Sequence, residues 1–250
     1  MNSRVILVSD DRSSLRSPDT LLWPDAACMR GIHTGEWTAH IFEYAMSFEG
    51  NMTQVRELAA ANGVGVLHPH GALATDPPGL VVCDVDSTVT RTEAIDLLAE
   101  CAGKADEIRG ITARAMAGEL DFTQSLYARV RCLEGLHIGA LEEAWKATVI
   151  TPGTAELVAA AHEVGAAVGL VSGGFTALVD PLAEQIGADF AASHELEIVD
   201  DHLTGRVVGD IIDRAAKATW LRRWASERGV ALERTIALGL SLIHISEPTR

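Results

Sequence analysis

In Leu80-Val81-Val82-Cys83-Asp84-Val85-Asp86-Ser87-Thr88 an apolar run ends abruptly in two aspartates separated by one residue. A short, continuously apolar run reads as a buried parallel strand, and ligands of open α/β sheets bind just beyond the carboxyl ends of such strands. Asp84 and Asp86 are therefore expected at the rim of a site. Residues two apart on an extended segment face opposite sides. The two carboxylates share one site only if the chain turns at once after Asp84, and Ser87-Thr88 allow that turn. From the spacing alone, a solvated loop with a helix cap explains the pair equally well.

Downstream, the pattern turns helical from Thr92 to Glu100, and a second helical block occupies about 104–149. Within that block Ile108, Ile111, Ala115 and Met116 form one face, and Phe122, Leu126, Val130 and Leu133 another. A helical insertion of this kind often covers a site. Pro152-Gly153 restarts a strand and helix alternation: a helix to Glu163, a strand Ala167 to Val171, a turn Ser172-Gly173-Gly174, a helix Thr176 to Ile186, strands near 206–208 and 235–238, and a helix about 215–228. Such alternation predicts an α/β fold with a parallel sheet. The Ser172 hydroxyl and the following backbone N–H groups suit an anion near a helix start, although a plain glycine turn explains them too. Lys217 lies near the start of its helix, where the macrodipole does not favour a cation.

Upstream, residues 1–75 read as a small α+β unit. Phe42, Tyr44, Met46 and Phe48 alternate as a half-buried strand does. Asn51 with Gln54 forms a capping-box pattern, Val55, Leu58 and Ala59 share a helix face, Gly63 stops the helix, and Val64 to Leu67 reads as a strand. Residues 9–36 carry no clear pattern. Gly71 to Gly79, with Pro77-Pro78, is the best linker.

The chain has 250 residues, 48% hydrophobic and 22% charged, which fits one large or two small globular domains. A formal charge of −15 argues against nucleic acid as a partner, since that affinity rests on Lys and Arg at phosphates. Only three lysines occur, at 104, 146 and 217. Cys28, Cys83, Cys101 and Cys132 show no CxxC spacing, so reduced thiols are expected, with Cys83 as strand packing. His68 and His70 flank Pro69 in a linker-like segment and read as surface rather than as metal ligands. Met1 to Ser14 is too acidic for a signal peptide, and the Ala-rich stretch 157–171 is broken by His162 and Glu163. The expectation is a soluble cytoplasmic protein with no membrane partner.

Taken together, Asp84-Val85-Asp86-Ser87-Thr88, Arg114-Ala115-Met116-Ala117-Gly118-Glu119-Leu120-Asp121-Phe122, Ser172-Gly173-Gly174-Phe175, Glu195-Leu196-Glu197-Ile198, Gly205-Arg206-Val207-Val208-Gly209 and Lys217 resemble the haloacid dehalogenase-like (HAD) phosphatases over about 80–239. The Arg114–Phe122 block and Glu93 resemble the phosphoserine phosphatase branch in particular. The resemblance implies a Rossmann-like HAD core at 76–239 with a helical cap at about 104–149, preceded by an incomplete ACT-like regulatory unit at 1–75. It implies hydrolysis of O-phospho-L-serine to serine and phosphate, the last step of serine biosynthesis. Asp84 would be the nucleophile and Asp86 the acid and base. Mg²⁺ would be held by the Asp84 carboxylate and the Asp86 backbone carbonyl. Ser172, Gly173 and Lys217 would bind the phosphoryl oxygens, Glu93 the substrate ammonium and Arg129 its carboxylate, with Met116 and Phe122 as walls. On helical spacing alone Met116 and Phe122 read as core, and Glu93 and Arg129 as a solvated face. ACT-like units imply a homodimer by resemblance alone.

The resemblance breaks after Gly239. A GDGxND motif is expected there, but the chain reads Leu240-Ser241-Leu242-Ile243-His244. Leu240 replaces the third metal-binding carboxylate, Ile243 the asparagine and His244 the second aspartate. Residues 240–250 resemble a translated sequencing adapter and are expected to be an artefactual tail, leaving a truncated chain of little activity. Two other functions compete: a related phosphatase acting on another small phosphometabolite, and an inactive amino-acid-sensing protein on a degenerate scaffold.

Overall fold

The computed structural model describes residues 3–9, 27–33, 38–44, 52–69 and 71–239. The chain divides into two compact units, Met1–Asp76 and Pro77–Arg250. The boundary falls inside the proline-marked linker, and Gly71–Ala74 within it forms one turn of 3₁₀ helix.

The first unit is an antiparallel sheet with one helix. Its elements are β1 (Ser3–Ser9), β2 (Ala27–His33), β3 (Thr38–Tyr44), α1 (Met52–Ala61) and β4 (Gly65–Leu67), and the strand order is β2-β3-β1-β4. The predicted strand at Phe42 and Tyr44 is β3; Met46, Phe48, Asn51 and His70 lie outside the described residues. Strand β2 occupies the stretch in which no sequence pattern was legible. Gly63 stops α1 with φ +68°, a conformation glycine adopts without steric cost.

The second unit is a five-stranded sheet in the order β8-β7-β6-β5-β9, formed by β5 (Leu80–Cys83), β6 (Ala167–Phe175), β7 (Phe190–Val199), β8 (His202–Val208) and β9 (Thr235–Leu238). β9, β5 and β6 run parallel as expected, and so does β7, a strand that the sequence pattern does not predict. β8 does not. Only Asp200 and Asp201 join it to β7, both at positive φ (+49° and +61°), a two-residue connection whose twist suits an antiparallel hairpin. A crossover helix needs far more chain.

Helices α2 (Ala94–Cys101), α3 (Ala105–Met116), α4 (Phe122–Arg131) and α5 (Gly139–Ala147) follow β5. Asp121 and Gln124 close a capping box at the start of α4, which fixes where that helix begins. Helices α6 (Thr154–Glu163), α7 (Thr176–Ile186) and α8 (Arg214–Glu227) complete the unit. One apolar cluster joins Val81, Cys83, Val168 and Leu170 to Val158, Val179 and Leu182. A second, on Leu80, Val82 and Val171, takes Trp224 from α8. β-Strands covered on both faces must be apolar throughout, which is why all four residues of β5 are buried.

Gly169 decides where α8 sits. A Cβ there would come within 2.7 Å of the Trp224 ring, so the bare backbone lets the indole lie against β6 and stack on Phe190 at 5.3 Å. Lys217, two turns earlier, lies on the same helix face. Packing Trp224 down therefore aims Lys217 at the carboxyl end of β5.

Candidate active site

Asp84 follows β5 directly, and its backbone N–H donates to Leu238 O (2.8 Å), which binds it to the end of β9. Its side chain accepts from Val85 N–H at 2.9 Å. Lys217 Nζ donates to Asp84 Oδ1 at 2.7 Å, and both side chains are almost fully enclosed, 10% and 6% exposed. The pair offsets the unfavourable dipole at Lys217, whose helix is capped by Asp213 through Ala216 N–H (2.8 Å).

The turn that the aspartate pair requires is wide. Thr90 N–H closes it onto Val85 O at 3.0 Å, Asp86 remains extended (φ −59°, ψ 129°), and Ser87 reverses the chain at φ +56°. Non-glycine residues seldom adopt that φ. Here the Ser87 hydroxyl donates to Glu93 Oε1 at 2.5 Å, holding Glu93 over the same turn. Asp86 Oδ1 accepts from Ala94 N–H at the start of α2 (2.9 Å), and Asp86 Oδ2 accepts from Ser172 Oγ (3.4 Å). Burial pushes the Asp86 carboxyl up to about 6, against the Ala94 hydrogen bond and with added repulsion from Glu93 and Asp84.

Ser172-Gly173-Gly174 is not the tight turn expected. These residues continue β6, but pairing with β7 is interrupted between Val171 and Phe175. Gly174 N–H donates to Ser172 Oγ (2.8 Å), and a Cβ on Gly174 would sit 2.8 Å from Asp86 Oδ2. Glycine is required because the segment passes directly against the carboxylate.

Phe122, at the start of α4, closes on this segment: a Cβ on Gly173 would lie 3.3 Å from its ring. Arg129, on the same helix, is half-buried and donates through Nε to Ser125 O (3.3 Å). Burial lowers its pKa, and the neighbouring negative charges of Glu93, Asp96 and Asp86 oppose that shift. Asp84, Asp86, Glu93, Phe122, Arg129, Ser172, Gly173 and Lys217 are thus brought to one end of the sheet. Met116 is 63% exposed at the end of α3, so neither the core reading nor an enclosed wall describes it in this structure. Cys83 is buried with its thiol pushed up to about 11, consistent with packing rather than redox chemistry.

His194 escaped the sequence reading. It is buried, with Nδ1 on Gly173 O (3.0 Å) and Nε2 accepting from Ile212 N–H (2.8 Å). One histidine between polar residues on a strand carries no periodic signal that distinguishes it from a surface side chain.

The oxygen donors at the end of β5, the Asp84 carboxylate and the Asp86 backbone carbonyl, are hard ligands of the kind Mg²⁺ takes. Among the described residues no group of three or more His, Cys, Asp or Glu side chains could hold a metal. Leu240, outside the described residues, supplies no oxygen donor from its side chain. The donor set fits Mg²⁺ in kind. No helix of the described residues is long and apolar enough to cross a membrane.

The family model for haloacid dehalogenase-like hydrolases matches residues 81–239. The phosphoserine phosphatase of Streptomyces coelicolor is 49% identical over 181 residues, covering 72% of this chain and 44% of that protein. The phosphoserine phosphatase of Streptococcus thermophilus is 47% identical over 161 residues, 64% of this chain and 75% of that one. The chain thus spans less than half the length of the Streptomyces relative. The unliganded crystal structure of a probable phosphoserine phosphatase from Vibrio cholerae superposes with a TM-score of 0.78 at 31% identity, covering 96% of this chain and 73% of that one.

Proposed function

Because this chain belongs to the haloacid dehalogenase-like hydrolases, we propose that its site hydrolyses O-phospho-L-serine through a phosphorylated Asp84. The observation that carries the reading is the juxtaposition at one strand end of a lysine-paired carboxylate, Asp84 with Lys217 at 2.7 Å, and a second carboxyl, Asp86, pushed up to about 6. A carboxylate paired with a lysine and a second carboxyl whose proton is held more tightly by burial can divide the labour of nucleophile and acid.

Asp84 attacks phosphorus, splitting one difficult displacement into two easier ones. Lys217, the Ser172 hydroxyl and the Gly173 N–H take the charge that builds on the phosphoryl oxygens, the main source of acceleration in phosphoryl transfer. Asp86, protonated below about 6, gives its proton to the departing seryl oxygen and afterwards takes one from water. Asp84 and the Asp86 carbonyl would hold Mg²⁺, which neutralises charge between nucleophile and phosphate when bound. Glu93 pairs with the substrate ammonium and Arg129 with its carboxylate, and Phe122 screens the site from water.

Phosphate release from O-phospho-L-serine in the presence of Mg²⁺, compared with phosphohomoserine, tests the reading; turnover of neither by the chain or by its Leu240→Asp variant, with retained amino-acid binding, would replace it by a sensing role. Two variants sharpen the test. Asp86→Asn should lower kcat on phosphoserine by about 100-fold or more, the range of a lost general acid. On p-nitrophenyl phosphate, whose leaving group needs no proton, it should lose far less in its first step, measured as the phenolate burst. Arg129→Ala should raise KM for phosphoserine by about tenfold or more, through a lost charge-assisted pair. It should leave phosphoethanolamine, which lacks the carboxylate, nearly unaffected, and equal losses on both substrates would contradict the role.

A further inference from the structure

His194 is a buried titratable group that none of the steps above uses. It lies on β7, and each ring nitrogen meets a backbone group of a different segment: Gly173 O at 3.0 Å and Ile212 N at 2.8 Å. Ile212 N–H is a donor, so Nε2 must offer its lone pair and the ring proton sits on Nδ1, facing the Gly173 carbonyl. The imidazole is neutral in this arrangement. Burial and the nearby Lys217 and Arg129 cations favour that state. Thr176 Oγ1 donates to His194 O at 3.0 Å, and the Phe122 ring lies 6.3 Å from the imidazole, so the residue is held from both sides.

The two segments it joins carry the anion-binding groups. Gly173 belongs to the Ser172-Gly174 stretch, which is released from pairing with β7 and therefore lacks a ladder to fix its height above the sheet. Ile212 immediately precedes Asp213, the cap of the helix from which Lys217 reaches Asp84. We propose that His194 is a positioning residue that clamps the Gly173 carbonyl to the Ile212 amide and so sets the spacing between the Ser172-Gly173 anion cradle and Lys217. This deepens the phosphatase reading and rests on it. The neutral ring suits that role, because as a rigid bridge it presents a donor to one segment and an acceptor to the other. A protonated ring would turn two donors against each other at Ile212.

Inorganic phosphate is the probe, titrated into the full chain and followed by ³¹P NMR, with thermal unfolding measured in parallel. His194→Ala should weaken phosphate binding by about tenfold, the order expected when a buried hydrogen bond is lost from a site's support. His194→Asn, whose amide reaches the place of Nδ1 and can still donate to Gly173, should recover affinity to within about threefold; His194→Gln, with its amide one carbon further out, should not. Parent-like phosphate affinity in folded His194→Ala would overturn the assignment. Recovery of thermal stability by His194→Asn without recovery of affinity would also overturn it, since that is the signature of a structural role. If His194→Ala does not fold, equal affinities in the Asn and Gln variants overturn it. A parent chain that binds no phosphate would reject the phosphatase reading as well, which separates the two failures.

Discussion

Asp84→Asn is expected to abolish turnover of phosphoserine, with a loss on the order of 10⁴-fold or more in kcat, because an amide oxygen is a poor nucleophile. Folding should survive. The amide oxygen of this variant would still accept from Val85 N–H and from Lys217 Nζ, which hold the native carboxylate at 2.9 and 2.7 Å. Removing the side chain with Asp84→Ala is a different experiment: it takes away the carboxylate that Lys217 Nζ meets at 2.7 Å and should lower thermal stability. The measurement is phosphoenzyme trapping after acid quench with labelled substrate, alongside steady-state rates and thermal unfolding. Label on the parent and none on the folded Asn variant is the expected pair. Label retained on the variant would move the nucleophile elsewhere.

Leu240→Asp is expected to strengthen Mg²⁺ binding and raise phosphatase activity, each by about tenfold or more. The residue follows Gly239, which lies beside Asp84: a Cβ on Gly239 would sit 3.7 Å from Asp84 Cβ, and Asp84 N–H is bonded to Leu238 O at 2.8 Å. A carboxylate at position 240 would supply the metal-binding side chain that the resemblance expects after Gly239. At an effective dielectric near 20, one extra charge about 4 Å from a divalent cation is worth several kcal/mol, which exceeds a tenfold change even after losses to solvation. Calorimetric titration with Mg²⁺ reads the affinity directly, and activity against Mg²⁺ concentration reads its consequence. Unchanged Mg²⁺ affinity in the variant would show that position 240 takes no part in holding the metal. Leu240→Asn, which adds an oxygen without the charge, separates coordination from electrostatics.

Much of this site was legible in the chain because strand ends and helix starts announce themselves by composition. The apolar run before Asp84 required burial on both faces, and the aspartates, Ser172 and Lys217 all sit at the junctions where an α/β sheet opens to ligand. Three features were not legible. The strand β8 looked like part of the parallel alternation, and only two consecutive left-handed aspartates, Asp200 and Asp201, turned it antiparallel. Ser172-Gly173-Gly174 looked like a turn because glycines mark turns, yet here their lack of a Cβ serves close approach to Asp86 and Phe122. His194 had no pattern at all, since its two partners lie 21 and 18 residues away.

The sequence by itself determined the class of fold, the aspartate pair and the residues able to bind an anion, because period, turn chemistry and charge are local properties of the chain. The tertiary structure alone decided which of those residues meet. Trp224 seated against Gly169 brings Lys217 to Asp84 across 133 residues, the wide turn at Ser87 puts Asp86 under Ser172 and Glu93 beside them, and burial lifts the Asp86 carboxyl to about 6. Distances and desolvation belong to the packed chain, and the division of labour proposed for two chemically identical carboxyl groups rests on them.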